Sequence, residues 1–387
     1  MESSAASGER EALRREVLAQ FGATGGNLEE LLRYNENVFQ IQPAELPLAD
    51  ESFVPVWESY LREALEKGLW PVLQDKLVEL RFPVEAGISE TEEYQAAKRR
   101  GIVPGGFGKG LRLQEAEHLA LSLHPTAVGR IPILTTTCRE DFVALARALL
   151  RRNEPTPLLD SVGAYMVSGY NNWDRVRALK RKWESEHPAG TADQWSAAFR
   201  ELAAQKSLYQ DRFILLSDGP YSGVSAAEMG LDEPGWRRAS LTIRREHECT
   251  HYFTRRLFGS ARNHLLDELL ADFVGLKAAF GHFRAEWFLR FLGLEDPTRF
   301  RVSGRLANYR GEPPLSEQAF GVLQRLIATA ANHLQNFDET EPRIWDLPYV
   351  ARFIAAGASL TIEELASAEG VPLLHHEFRK ATETLRT

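Results

Sequence analysis

The N-terminal part of the chain repeats apolar residues at the three- and four-residue steps of an α-helix. Between about residues 9 and 84 these residues form stripes, among them Leu13, Val17 and Phe21, and further on Trp57, Leu61, Leu65 and Leu69. Because such spacing places apolar side chains on one face of a helix, it predicts an N-terminal helical region. Residues 87–110 are instead polar and rich in glycine, which predicts a linker or mobile loop.

From residue 129 the apolar residues come in short runs that are typical of β-strands. The runs at 130–136, 162–168 and 212–217 predict three strands. Helices are expected between them, at Thr137 to Leu150 with a Thr137–Glu140 capping box, at Asn172 to Trp183 with Asn172 as cap, and at 192–206. Strands that alternate with helices in this way predict a small mixed sheet.

Helical spacing returns in the C-terminal half. One helix is expected to begin near Glu233–Pro234, and a second to run from Arg262 to Phe283. Further helices are expected at 284–294, 315–337, 349–356 and 361–387. The sequence therefore predicts an α+β fold, with a small mixed β-sheet followed by two helices and flanked by helical regions. We expect an N-terminal helical region with its loop at 1–125, an α/β core at 126–282 and a C-terminal helical subdomain at 283–387.

Composition and charge exclude several classes of protein. With 387 residues, of which 44% are hydrophobic, the chain can bury a substantial core. Its net charge of −8, with basic residues scattered in short pairs, favours neither a nucleic acid nor an anionic membrane as partner. The chain does not start with the apolar core of a signal peptide, no run can span a bilayer, and two cysteines give no disulfide framework. These features predict a cytoplasmic protein and leave its oligomeric state open.

The segment His247-Glu248-Cys249-Thr250-His251 contains the strongest chemical signal. An α-helix advances about 100° per residue, so His247 and His251 lie one turn apart on one face and can bind the same metal ion. Glu248 lies beside them, where its carboxylate can reach a water molecule at the metal without replacing it. Cys249 points to the opposite side of the helix and is expected to be a small buried apolar residue.

This segment resembles the short motif of the HExxH metallopeptidases, the zincins. Glu268 follows His251 after sixteen intervening residues, and Asp272 comes four residues later, which resembles the glutamate-ligand branch, the gluzincins. The resemblance implies that His247, His251 and Glu268 bind one zinc ion per chain. It also implies that Glu248 is the general base and that Asp272 accepts the free ring N–H of His247. Such a partner is needed because a histidine ligand must hold one tautomer.

The third ligand and the branch of the zincins each have an alternative. His264 is an alternative third ligand, but the spacing of Glu268 and Asp272 favours Glu268. The metzincin branch requires Gly and His at the third and sixth positions after the second histidine, where this chain has Thr254 and Leu257. That branch is therefore excluded.

Hydrolysis of an amide also needs a donor to the oxyanion, and in gluzincins this is commonly a Tyr, His or Arg well after the motif. The first candidate is Tyr309 in the polar loop 301–314, followed by His264, His333 and Tyr221. In zincins an edge strand also pairs with extended substrate. Residues 212–217 or the turn at Tyr221 are the candidates for this pairing.

Together these features predict a zinc-dependent hydrolase with a zincin-like catalytic core at 126–282. It is expected to cleave an amide or peptide bond of a selective intracellular substrate, either a peptide or an amide-containing small molecule. A zincin-fold biosynthetic enzyme that acts on a small metabolite is the first alternative. The second is a non-catalytic binding protein stabilised by metal, which is disfavoured because a structural site has no use for Glu248.

Overall fold

The structure is a computed structural model that describes residues 2–103, 105, 110–295, 300–301, 304–341 and 345–386. Helices form most of it and β-strands a smaller part, so the predicted α+β class is confirmed. The helices are α1 (Glu2–Gln20), α2 (Gly25–Tyr34), α3 (Val54–Lys67), α4 (Leu69–Lys76), α5 (Glu92–Arg100), α6 (Arg139–Leu150), α7 (Trp173–Glu186), α8 (Ala192–Leu202), α9 (Glu233–Phe258), α10 (His264–Phe280), α11 (Ala285–Leu292), α12 (Glu317–Thr340), α13 (Leu347–Ala358), α14 (Ile362–Ala366) and α15 (Gly370–Thr384).

The strands are few and short. They are β1 (Ala44–Glu45), β2 (Ala120–His124), β3 (Ile131–Thr136), β4 (Ala164–Asn171), β5 (Gln210–Ser217) and β6 (Leu385–Arg386). Two short 3₁₀ turns, Tyr221–Gly223 and Arg305–Tyr309, matter for the site described below. None of the described helices combines the length and the apolar character needed to cross a bilayer.

The chain divides into two compact units that are interleaved in sequence. The first consists of the chain up to Leu48, residues 126–128 and the chain from Pro220 onward, and the second of Ala49–Pro125 and Gly129–Gly219. The boundaries predicted from the sequence were at residues 125 and 282 instead. Interleaving of this kind leaves no local pattern, because it depends on contacts between distant segments. One such contact is the 3.2 Å ion pair from α1 to α14 between Arg14 and Glu363.

The second unit contains a four-stranded mixed sheet in the order β2-β3-β5-β4. β3 and β5 are parallel and pair Ile133 with Ile214, whereas β2 and β4 run antiparallel to their neighbours at the two edges. The strand expected at 162–168 begins at Ala164 and extends to Asn171. Residues 212–217 lie between β3 and β4. The expectation that this strand offers a free edge to substrate is therefore wrong.

Two elements of the second unit were missed by the sequence analysis. Residues 87–110 were expected to form a loop, but Glu92–Arg100 is a helix whose first turn is capped by the Thr91 side chain. This helix is highly charged and buries Tyr94 and Ala97, which is too little to produce an apolar stripe. β2 was missed because it is a short edge strand with no fully buried residue.

Local capping was predicted with mixed success. Asn172 caps α7 as expected, since its side chain accepts two backbone N–H groups of the first turn. The Thr137–Glu140 capping box does not form, because α6 begins later, with Cys138 at the cap position. The helix expected over 361–387 is interrupted at Ser367, which separates α14 from α15.

In the first unit α9 and α10 pack against each other at close range. α9 begins after a cap from Asp232, with Pro234 in its first turn, and ends at Gly259, whose φ of +78° lies in the left-handed region. On α10, Gly275 faces α9, and a Cβ at this position would lie 2.7 Å from the backbone oxygen of Ile243. Glycine at this position therefore lets the two helix backbones approach more closely than a side chain would permit.

Gly275→Ala should lower the free energy of unfolding by about 1–3 kcal/mol, because the new methyl group forces the two helices apart. Gly321→Ala is the matched control, since Gly321 also lies within a helix but a Cβ there meets only Arg325 at 3.9 Å. The control should be neutral or stabilising by roughly 0.5–1 kcal/mol. Urea unfolding followed by circular dichroism measures both. Equal midpoints for the two variants would contradict the close contact.

Candidate metal centre

α9 directs two imidazole rings to the same side. His247 and His251 lie one turn apart, and their Nε2 atoms are 3.0 Å from each other. The rings are nearly perpendicular, with an interplanar angle of 81°. Both side chains are mostly buried, with 9% and 12% of their surface exposed. The helix therefore presents two nitrogen atoms to one point in a largely dry environment.

α10 brings a carboxylate to the same point. Oε2 of Glu268 lies 3.7 Å from Nε2 of His247, and its Oε1 lies 3.6 Å from Nε2 of His251. Tetrahedral zinc with bonds of about 2.0–2.2 Å keeps its ligand atoms roughly 3.3–3.6 Å apart. The two distances to Glu268 lie at or just above this range, whereas the 3.0 Å between the two Nε2 atoms is shorter, so the rings would have to separate by a few tenths of an ångström around a bound ion. With that adjustment the three side chains could hold one divalent cation. His264, the alternative third ligand, is exposed and does not belong to this group of ligand atoms.

The surroundings of the two rings affect metal binding in different ways. Burial alone would lower the pKa of His247, but the hydrogen bond to Asp272 and the charges of Asp272 and Glu268 raise it, so a metal ion would compete with a proton for this ring. Oδ1 of Asp272 lies 2.7 Å from Nδ1 of His247. Because a carboxylate only accepts, this contact places the hydrogen on Nδ1 and leaves the Nε2 lone pair available. Burial and the neighbouring His247 lower the pKa of His251 to about 4, so this ring is neutral at pH 7, as a metal ligand must be.

Asp272 is the centre of a buried hydrogen-bond network behind His247. Its Oδ1 also accepts from the Tyr221 hydroxyl at 2.5 Å, and its Oδ2 accepts from the guanidinium of Arg305. Burial alone would raise the pKa of Asp272, but the charge of Arg305 and the hydrogen bonds from His247 and Tyr221 lower it to about 2. Asp272 is therefore ionised, and the network holds its carboxylate in one orientation.

Glu248 lies next to the ligand group without belonging to it. Burial raises the pKa of its carboxyl group to about 7, with a further contribution from the negative charge of Glu268, although His247 and Arg305 oppose the shift. A carboxyl group with this pKa exists in both protonation states near neutrality. It can therefore take up and release a proton under ordinary conditions.

Tyr309 reaches the same region from the 3₁₀ turn Arg305–Tyr309. Burial, together with the charge of the neighbouring Glu268, raises the pKa of its hydroxyl well above the usual value. The group therefore stays protonated and remains a hydrogen-bond donor. Among the candidate oxyanion donors, Tyr309 lies near Glu268 and, unlike Tyr221, does not contact Nδ1 of His247 in the structure described.

The other candidates have different surroundings. The Tyr221 hydroxyl faces Nδ1 of His247, 3.1 Å away, and so lies behind the ring rather than on its Nε2 side. Nδ1 of His333 lies 2.7 Å from the backbone oxygen of Leu365. The ring of His264 packs against Tyr34. These positions do not favour any of the three residues as a donor to substrate.

Arg305 and Asp267 belong to this site but were not singled out from the sequence. Besides Asp272, Arg305 donates to the Tyr221 hydroxyl at 3.0 Å and lies 3.8 Å from Oε2 of Glu268. Oδ2 of Asp267 lies 3.6 Å from Nδ1 of His251, a buried nitrogen that has no hydrogen-bond partner among the described residues. The available signals were weak: Arg305 lies in the polar loop that was noted for Tyr309, and Asp267 directly precedes Glu268.

Comparisons with other proteins give one match. The model of a family described as a family of unknown function (DUF7005) matches residues 16–369, which is most of the chain. No curated protein and no solved structure matches this sequence significantly. The functional interpretation therefore depends on the residues of this chain.

Asp272→Ala should weaken zinc binding by about ten- to a hundredfold, because His247 loses the acceptor that fixes its tautomer. Asp338→Ala is the matched control, since Asp338 is also a buried aspartate of the first unit that pairs with a buried cation, Lys277. Both variants should lose stability, but the control should keep its zinc affinity. Titration against a fluorescent chelator measures the affinities. An equal loss of zinc affinity in both variants would show that Asp272 does not orient His247.

Proposed function

The chain belongs to the DUF7005 family of unknown function, and from its metal centre we propose that it is a zinc-dependent hydrolase that cleaves an amide or peptide bond. The proposed zinc ligands are His247, His251 and Glu268. One observation carries the proposal: these three side chains converge beside Glu248, whose carboxyl group lies outside the ligand group. The order of α9 and α10 along the chain also resembles that of the two ligand helices in glutamate-ligand zincins.

The charges of the site support a bound cation. Burial, reinforced by the charge of Glu268, raises the pKa of Asp267 as well as that of Glu248. Several carboxyl groups therefore lie close together in a region where their negative charges are costly. Arg305 compensates one of them, since its guanidinium pairs with Asp272. A divalent cation held by Glu268 and the two histidines would compensate the others.

Zinc held by these ligands would polarise a substrate carbonyl and lower the pKa of a water molecule toward about 7. Glu248 accepts a proton from the attacking water and later passes it to the leaving amine. Burial raises the pKa of Glu248 and so its affinity for a proton, and the charge of a bound cation would oppose this shift. The Tyr309 hydroxyl donates a hydrogen bond to the oxygen on which negative charge develops.

A purely structural metal site explains these residues less well. Structural zinc usually has four protein ligands, whereas catalytic zinc has three and leaves one position for water or substrate. In the part of the chain that the structure describes, the ligand group at this site has three members, His247, His251 and Glu268. A structural site would also give Glu248 no role. These two features favour a catalytic site.

The proposed substrate is a peptide or an amide-containing small molecule. A biosynthetic enzyme that acts on a small metabolite would use the same metal ligands and the same base. The two proposals therefore share the site and differ only in the substrate. A peptide-library cleavage assay, compared with metabolite profiling of cell extract treated with the enzyme, separates the two. Cleavage of library peptides favours the peptidase, and a metabolite consumed without peptide cleavage favours the alternative.

Glu248→Gln should retain zinc but lower kcat by about 10²–10⁴-fold, because the amide group cannot accept the proton from water. Glu233→Gln is the control, since Glu233 lies in the exposed first turn of the same helix. The control should keep the wild-type kcat. Zinc content by mass spectrometry and turnover of the substrate found in the screen are measured on the same samples. A Glu248→Gln variant with wild-type turnover would show that another group is the base.

A further inference from the structure

The segment 304–311 carries two residues of the site, Arg305 and Tyr309, and it is held in place by a residue from the N-terminal part of the chain. That residue is Tyr34, the last residue of α2. Its hydroxyl donates to the backbone oxygen of Tyr309 at 2.5 Å. The side chain is buried, so the hydrogen bond is shielded from competing water.

The backbone of the same segment also lies against the Tyr34 ring. At Gly311 the φ of +83° is in the left-handed region, and a Cβ there would lie 3.0 Å from Cδ2 of Tyr34. Glycine is needed at this position both for its conformation and for its small size. Tyr34 therefore contacts the segment twice, once through its hydroxyl and once through its ring.

The Tyr34 ring also packs on the first turn of α10. Its centroid lies 4.4 Å from that of the His264 ring, with an interplanar angle of 30°. His264 has a φ of +54°, a conformation that is costly for residues other than glycine and that persists only where neighbours hold it. Glu268 follows one helical turn later. The ring of Tyr34 therefore supports the start of the helix that carries this ligand.

We propose that Tyr34 is a positioning residue of the metal centre, which fixes the segment 304–311, and with it Tyr309, relative to the first turn of the helix that carries Glu268. Its effect on turnover rests on the proposed function. Its effect on the segment does not, because these contacts join atoms of the protein alone. In this proposal the N-terminal part of the chain holds a segment of the site in place.

Tyr34 can fix other residues because its own segment is anchored. The Asn35 side chain donates to the buried carboxylate of Glu363 at 3.1 Å. The Asn37 side chain donates to the backbone oxygen of Ala358 at 2.7 Å and accepts from the Asn263 side chain at 2.9 Å. Asn263 directly precedes α10. The chain directly after Tyr34 is thus tied to α13, to α14 and to the residue that precedes α10.

The direct test is hydrogen exchange on full-length protein with Tyr34→Phe, which keeps the ring and removes the hydroxyl. Loss of the hydrogen bond should raise the exchange rate of amides in 304–311 by about fivefold. Tyr349→Phe is the matched control, because it removes another buried hydroxyl of the first unit, one that contacts Lys277 at 3.4 Å. The control should not change exchange in 304–311. Unchanged exchange in the Tyr34→Phe protein would overturn the proposal, whether or not the chain hydrolyses any amide.

Kinetics provide a second test that a general loss of stability would not satisfy. Tyr34→Phe should lower kcat by about fivefold with little change in KM or in zinc affinity, since the ring still supports His264. In a Tyr309→Phe background the same substitution should have no further effect, because the hydroxyl that it positions is already gone. Independent, multiplicative effects of the two substitutions would overturn the positioning role. A wild-type protein without hydrolytic activity would instead contradict the proposed function and leave the exchange result as the test.

Gly311→Ala gives an independent test, because it disturbs the contact from the opposite side. A methyl group at residue 311 would press on the Tyr34 ring and adopt an unfavourable φ. It should raise exchange in 304–311 and lower kcat in the same direction as Tyr34→Phe. Gly281→Ala is its control, because this residue has a similar φ of +77° but no atom within 4 Å of the added methyl group. Equal effects of the two glycine substitutions on exchange in 304–311 would contradict the proposal.

Discussion

The close contact between α9 and α10 is the constraint on which the rest of the site depends. His247 and His251 can meet Glu268 only if the two helices approach at short range, and Gly275 makes that approach possible opposite Ile243. The chain reverses between the helices within a few residues, beginning at Gly259. Packing, rather than any attraction among the ligands, therefore brings the three groups together, because carboxylate and imidazole side chains gain little from burial alone.

Burying the carboxylates of the site has an electrostatic cost, which the surrounding side chains only partly offset. Asp272 is stabilised as an anion by Arg305, Tyr221 and His247, and it shows a low pKa despite complete burial. For Glu248, burial outweighs the opposing charges of His247 and Arg305, and the pKa rises to about 7. Two carboxyl groups in one site thus differ in proton affinity because their environments differ. In the proposed mechanism Asp272 holds the ligand His247 in place and Glu248 transfers a proton.

Much of the local structure followed from the sequence, and the tertiary arrangement did not. The four-residue step between the two histidines and the helical period around Glu268 were local signals, and the structure brings the side-chain N and O atoms of these residues together. Arg305 lies 33 residues beyond Asp272 and its contact depends on how a loop folds back, which no periodicity reveals. The same holds for the interleaved units and for Tyr34, whose partners are about 230 to 280 residues away in sequence. Charged α5 and the short edge strand β2 lacked an apolar pattern strong enough to be recognised.

The most direct test of the account is X-ray absorption at the zinc edge, combined with metal analysis, on purified full-length protein. It predicts about one zinc per chain, bound by two imidazole nitrogens and at least one oxygen at about 2.0–2.2 Å. Zinc should be lost when His251 is replaced by Ala. Folded wild-type protein that takes up no zinc, or zinc that remains with an unchanged spectrum after His251→Ala, would contradict the convergence of His247, His251 and Glu268 on one cation.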